Sequence, residues 1–158
     1  MTNKGVELAL DQLHIPLVRA RVGDRYVLEK LLENQWLLGG EGSGHLLILD
    51  KHSSGDGLIS GLQVLQACLR ANTSLAQALS DVQLCAQHMV NIRLREGLDW
   101  QHHAPFQQAC LALEKKLGDQ GRILIRPSGT EPVLRIMVEA PDMPTAQVSA
   151  EQLSALLN

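Results

Sequence analysis

Aromatic side chains are scarce. Tyr26, Trp36, Trp100 and Phe106 are the only four in 158 residues. Basic residues do not gather either: 14 Lys and Arg face 17 Asp and Glu, for a formal charge of -3. Seven of the basic residues lie before Asp81 and seven after it. Single-stranded nucleic acid is held by aromatic platforms in a positive groove, so the composition excludes a nucleic-acid partner. Long apolar runs are also missing. The stretch from Leu58 to Leu69 is broken by glycine and glutamine and falls short of the roughly 20 residues a bilayer requires, so no membrane contact is expected. Glu7 and Asp11 interrupt the N-terminal region where a signal peptide would be apolar. Cysteine is rare: Cys68, Cys85 and Cys110, spaced by 17 and 25 residues, fit neither a disulfide framework nor a zinc site. A reduced, cytoplasmic protein is expected.

What remains is ordinary globular material, with 45% hydrophobic and 20% charged residues, enough for one domain or two small ones. Asn3 is placed to cap a helix running to Leu13, with Val6, Leu10 and Leu13 as its apolar stripe. Ile15 to Ala20 reads as a short strand. A second helix spans Asp24 to Asn34 with Val27, Leu28, Leu31 and Leu32 on one face. Trp36 to Leu38 and His45 to Leu49 read as strands, the latter continuous enough to be covered on both faces in α/β layering. A helix from Leu58 to Arg70 puts Leu58, Leu62, Leu65 and Leu69 in register, and Ser74 to Leu79 adds a short turn of helix. Beyond Asp81 the pattern changes. His88, Val90, Ile92 and Leu94 alternate with Met89, Asn91, Arg93 and Arg95, as in a strand with one wet face. An amphipathic helix from Pro105 to Leu117 closes at Gly118. Strands at Arg122 to Arg126 and Val133 to Glu139 and a helix from Pro144 to Leu157 complete the chain.

Three loops collect chemistry. Arg126-Pro127-Ser128-Gly129-Thr130-Glu131-Pro132 gathers a guanidinium, hydroxyls and a glycine between two strands. These are the parts of a phosphate cradle, to which Arg135 adds charge, and equally the parts of a polar hairpin turn. Gly39-Gly40-Glu41-Gly42-Ser43-Gly44-His45 sets a carboxylate and a hydroxyl among glycines, an arrangement suited to sugar hydroxyls. His45 beside it is either a proton-transfer group or a structural histidine. Ser53-Ser54-Gly55-Asp56-Gly57 makes Asp56 a helix cap first of all. Arg25 is a ligand contact or a surface charge. His102-His103 is an adjacent pair that lacks the shared face of a metal site.

The order and spacing of Val22-Gly23-Asp24-Arg25-Tyr26-Val27, Gly40-Glu41-Gly42-Ser43-Gly44-His45, Ser54-Gly55-Asp56-Gly57 and Arg126 to Pro132 resemble the second half of the α-D-phosphohexomutases. The likeness covers essentially the whole chain and leans toward members that act on a hexosamine phosphate. Members acting on mannose or glucose phosphates are the nearer alternative, and a stand-alone, non-catalytic phosphosugar-binding module the farther one. The resemblance implies an α/β segment at 1–75, the later part of a third domain, and a linker at 76–85. It then implies a small α+β domain at 86–158, of the kind likened to the TATA-box-binding protein. It further implies that Met1 lies inside a longer parent whose N-terminal domains carry the phosphoserine and Mg²⁺ loops, with no metal ligand here and no activity alone. In the family's cycle a hexose 1,6-bisphosphate is both intermediate and activator. By the same resemblance Glu41 and Ser43 contact the sugar hydroxyls and His45 moves a proton, with Arg25 as a further substrate contact. Arg126, Ser128, Gly129 and Thr130 hold the phosphate that is not reacting, and Arg135 adds charge. A sheet edge left open in the first segment would permit self-association.

Overall fold

The protein is described here by a computed structural model covering residues 2–95, 97–128, 131 and 133–157. It divides into two units, Met1–Gln83 and Leu84–Asn158. Gly129 and Thr130, expected to take part in holding the phosphate, lie outside the described residues.

In the first unit, helix α1 (Lys4–Gln12) starts where Asn3 accepts a hydrogen bond from the Gly5 N–H at 2.8 Å. The strand expected at Ile15 to Ala20 does not form. Pro16 has no N–H to give a ladder, and Arg19 turns back to pair with Glu7 and to donate to the Thr2 carbonyl at 2.9 Å. Helix α2 (Asp24–Asn34) has the expected limits and ends at left-handed Gln35. Strands β1 (Leu38–Gly40) and β2 (Leu46–Ile48) pair antiparallel. The apolar run at His45 to Leu49 is therefore one arm of a hairpin rather than a strand covered on both faces, and only Leu47 in it is buried. Gly39 lets α2 lie close on β1, since a Cβ there would stand 2.7 Å from Val27 Cγ1.

Helix α3 (Gly57–Arg70) corrects a second expectation. Its register leucines face outward, with Leu58 82% and Leu69 81% exposed, while Ser60 is buried and donates to the Leu46 carbonyl at 3.3 Å. Ile59, Gln63 and Val64 lie on the inner side. The helix is apolar nearly all round, so its period marks a helix without saying which face meets β2. Leu58→Glu and Leu69→Glu are accordingly expected to change stability by no more than about 0.5 kcal/mol. Leu47→Ala, at a site 4% exposed, is expected to cost about 2–5 kcal/mol. Urea unfolding of the three variants checks this, and a large loss at Leu58 would reverse the assignment of faces. Helix α4 (Leu75–Ala78) carries a full capping box between Ser74 and Gln77.

The second unit is a three-stranded antiparallel sheet, order β3-β5-β4, with β3 (Ala86–Arg93), β4 (Arg122–Pro127) and β5 (Val133–Ala140). Helices α5 (Ala104–Leu117) and α6 (Met143–Ala155) pack on it, α5 against β4 and α6 against β3 and β5. Period-two alternation sorts the strands. Leu134, Ile136 and Val138 of β5 join Phe106, Cys110, Ala150 and Leu153 in the core. Burial pushes the Cys110 thiol up to about 11, which leaves it a packing residue. The opposite face carries Asn91, Arg93, Arg126 and Arg135, and at its far end Glu139, fully buried, accepts from Gln87 and Arg122 on the two flanking strands.

Candidate functional site

The β1–β2 turn is closed by two backbone hydrogen bonds, from the Glu41 N–H to the His45 carbonyl at 2.9 Å and from the Gly44 N–H to the Glu41 carbonyl at 3.0 Å. This fixes Glu41 and His45 on one side of the turn, while Ser43 is exposed at its tip. One oxygen of Glu41 accepts from the Gly23 N–H at 3.0 Å, tying the turn to the start of α2. The other lies 3.9 Å from His45 Nδ1. Of the sequence-derived residues, Glu41 and His45 therefore meet.

His45 and Arg25 line one side of a cleft of about 380 Å³ whose other walls include Asp24, Ser53, Ser54, Gly55 and Asp56. Arg25 points outward and pairs with Glu29 at 3.0 Å. Asp56 caps α3 as expected, accepting from the Leu58 and Ile59 N–H groups at 2.9 and 3.0 Å. The Ile59 N–H in particular holds its carboxyl below the ordinary carboxylate range. Asp24 accepts from the Arg25 N–H at 2.7 Å. Both carboxylates of the cleft are thus engaged with backbone N–H groups at helix N-termini.

The second constellation lies in the C-terminal unit. Strand β4 ends at Pro127 and the Ser128 N–H reaches the Val133 carbonyl at 2.8 Å, which closes the β4–β5 hairpin. Its register sets Arg126 directly opposite Arg135. Asn91 of β3 continues the same row across the sheet. Arg135 donates from Nη2 to the Ser128 hydroxyl at 3.2 Å, while its Nε is buried without a hydrogen-bond partner among the described residues. Like charges opposed across strands cost stability, and a buried unpaired donor costs more. An anion bridging the two guanidiniums relieves both.

Asn91 was not singled out from the sequence as a site residue, although the alternation of β3 already put it on the face away from the core. Gly55 was missed as well: a Cβ there would stand 1.7 Å from His45 Nε2. Nothing local announces that contact, because the two loops meet only in the folded unit. Among the described residues, no three His, Cys, Asp or Glu side chains come together as a metal ion would need. No described helix is long and apolar enough to cross a membrane.

Comparison with known proteins places these loops in context. The chain is 58% identical over 154 residues to a phosphoglucosamine mutase of Polaromonas naphthalenivorans, covering 98% of this chain and 35% of that protein. It is 57% identical over 157 residues to the phosphoglucosamine mutase of Ralstonia nicotianae, covering 99% of this chain and again 35% of the relative. It thus spans about a third of the length of these relatives. The fold is shared with Aspergillus fumigatus N-acetylphosphoglucosamine mutase, with a TM-score of 0.75 at 16% identity over 94% of this chain and 35% of that one. A structure of that enzyme in complex with GlcNAc-6P and magnesium matches with a TM-score of 0.69 at 14% identity, over 97% of this chain and 39% of that one. Residues 1–85 match the family model for the phosphoglucomutase/phosphomannomutase alpha/beta/alpha domain III and residues 89–156 the model for the C-terminal domain, so the chain belongs to the phosphoglucomutase/phosphomannomutase family.

Proposed function

We propose that this chain is the substrate-binding part of a phosphoglucosamine mutase, a cytoplasmic isomerase that converts glucosamine 6-phosphate into glucosamine 1-phosphate through a 1,6-bisphosphate. The observation that carries the reading is the in-register pair Arg126 and Arg135, with an unpaired buried Nε beside the Ser128 hydroxyl. The phosphoserine and Mg²⁺ of the reaction belong to N-terminal domains of a longer parent; Mg²⁺ there neutralises charge on the transferring phosphoryl group. The segments then act as 1–75 with the sugar loop, a 76–85 linker, and 86–158 with the phosphate loop.

Within that scheme the chain binds and orients. Arg126 and Arg135 hold the phosphate that is not reacting, in company with Ser128, Gly129 and Thr130. Because the bisphosphate must turn over to present each end in turn, this site reads charge and shape rather than the attached carbon, which planar guanidiniums do well. Glu41 and Ser43 take the sugar hydroxyls, with Arg25 at the cleft mouth, and His45 moves the proton of the reacting oxygen. A carboxylate accepts hydrogen bonds from adjacent hydroxyls without titrating near neutrality.

The test is a titration of the isotope-labelled chain with inorganic phosphate and with glucosamine 6-phosphate. Both ligands are expected to shift the backbone signals of Arg126, Ser128 and Arg135, and only the sugar phosphate those of Glu41, Ser43 and His45. Signals at 126–135 that stay fixed with both ligands would reject the phosphate site. The chain alone is expected to show no mutase turnover, with or without Mg²⁺ and bisphosphate, since the phosphoserine that relays the phosphoryl group belongs to the N-terminal domains. Turnover above blank from chain free of host enzyme would overturn that part.

A further inference from the structure

We infer that Gly55 is a positioning residue for His45, holding the imidazole between the sugar loop and the start of α3. The inference rests on the reading of His45 as the proton-transfer group for its functional meaning, but not for its geometry.

His45 leaves the β1–β2 turn at the last residue before β2, so its backbone is set by the hairpin register and by its carbonyl's bond to the Glu41 N–H. Gly55 is set from the other side. Its successor Asp56 is bound twice to the first turn of α3, and α3 is joined to β2 through Ser60. Both backbones are therefore anchored to the same strand, and the gap between them is not adjustable. The imidazole fills it.

A Cβ on residue 55 would stand 1.7 Å from Nε2, 2.0 Å from Cδ2 and 2.7 Å from Cε1. Real Cβ atoms do not approach other heavy atoms so closely, and the overlap involves three of the five ring atoms. A small rotation therefore does not relieve it. With any side chain at 55, the ring must leave. Leaving breaks the approach of Nδ1 to Glu41, the carboxylate anchored on the Gly23 N–H. The ring thus lies between Glu41, 3.9 Å from Nδ1, and the bare Gly55 backbone beside Nε2. In that position it lines the cleft together with Asp24, Arg25, Ser54 and Asp56. Orientation within about half an ångström is what a proton-transfer group needs. Gly57, two residues on, provides the contrast, because a Cβ there meets nothing within 4 Å.

The experiment compares the labelled 158-residue chain with its Gly55→Ala and Gly57→Ala variants by NMR. In the parent chain, nuclear Overhauser contacts are expected from the His45 ring protons to the Gly55 Hα protons. Gly55→Ala is expected to lose those contacts and to shift the His45 ring signals. The signals of His14, His52, His88, His102 and His103 should hold, as should the Leu58 and Ile59 N–H signals that report the α3 cap. Gly57→Ala is expected to leave the His45 ring where it is. Unchanged His45 ring signals in Gly55→Ala would overturn the proposal. So would the absence of ring-to-Gly55 contacts in the unsubstituted chain, a measurement that does not depend on the variant folding. Either result concerns the position of His45 alone, whereas the phosphosugar titration tests the functional reading separately.

Discussion

Arg126→Ala is expected to weaken binding of inorganic phosphate and of glucosamine 6-phosphate by about ten- to a hundredfold, the equivalent of the ~1.5–3 kcal/mol that a hydrogen bond to a charged group contributes. Arg135→Met is expected to do the same to binding while leaving the second unit as stable as before, or more so. Arg126 and Arg135 are register partners across β4 and β5, and Arg135 Nε is buried with no partner among the described residues. Removing one charge therefore removes a repulsion and an unpaired donor from the ligand-free protein, even as it removes half of the anion clamp. A residue that served only to hold the hairpin would behave the other way, because its loss would lower the melting temperature and leave the phosphate titration alone. Calorimetric phosphate titration and thermal unfolding of the same samples separate the two. Lower stability with unchanged phosphate affinity in Arg135→Met would show that the pair is scaffolding.

Which parts of this arrangement can be read from the chain depends on how local their causes are. The caps at Asn3 and Asp56 are set by side chains bonding to backbone N–H groups two or three residues away. Such signals survive any tertiary arrangement, so they are legible. The alternation of β3 and of the first half of β5 was legible for a related reason, since a sheet with helices on one face imposes a period of two, whereas Met137 and Glu139 are buried on the other face. The orientation of α3 was not. Leu58, Leu62, Leu65 and Leu69 form a stripe as regular as any buried one, but Ser60, small enough to let the helix approach β2, decides the packing. The cover of β2 differs from expectation because an apolar run implies burial on both faces, whereas Leu46 and Ile48 are only partly covered. At the site, residue types were readable and relations were not. Arg126 and Arg135 could both be noticed, yet their opposition follows from the hairpin register. The contact of His45 with Gly55 joins two loops that no periodicity connects.

The platform under the β4–β5 loop depends on Phe106. Its side chain is fully buried on α5, in a core with Leu134, Ile136, Val138 and Leu153, and meets Trp100 edge to face at a centroid distance of 6.4 Å. Phe106→Ala is expected to cost about 3–5 kcal/mol through lost burial and the cavity left behind, with the aromatic contact included in that loss. A unit the size of Leu84–Asn158 has roughly 4–11 kcal/mol of stability in all. The substitution thus removes a large part of what holds β4 and β5 together, and with it the register that opposes Arg126 to Arg135. Amide exchange is expected to accelerate across Arg122–Pro127 and Val133–Ala140, because these strands share the core that Phe106 fills. Phosphate binding should weaken in proportion to the unfolded fraction rather than by a fixed factor, and recover on cooling toward the temperature of maximum stability. That temperature dependence distinguishes loss of the platform from loss of a ligand contact, for which Arg126→Ala stays weak at every temperature. Protection of β5 that is unaltered in Phe106→Ala would mean that the helices contribute little to the sheet, and that the phosphate loop is held by the hairpin alone.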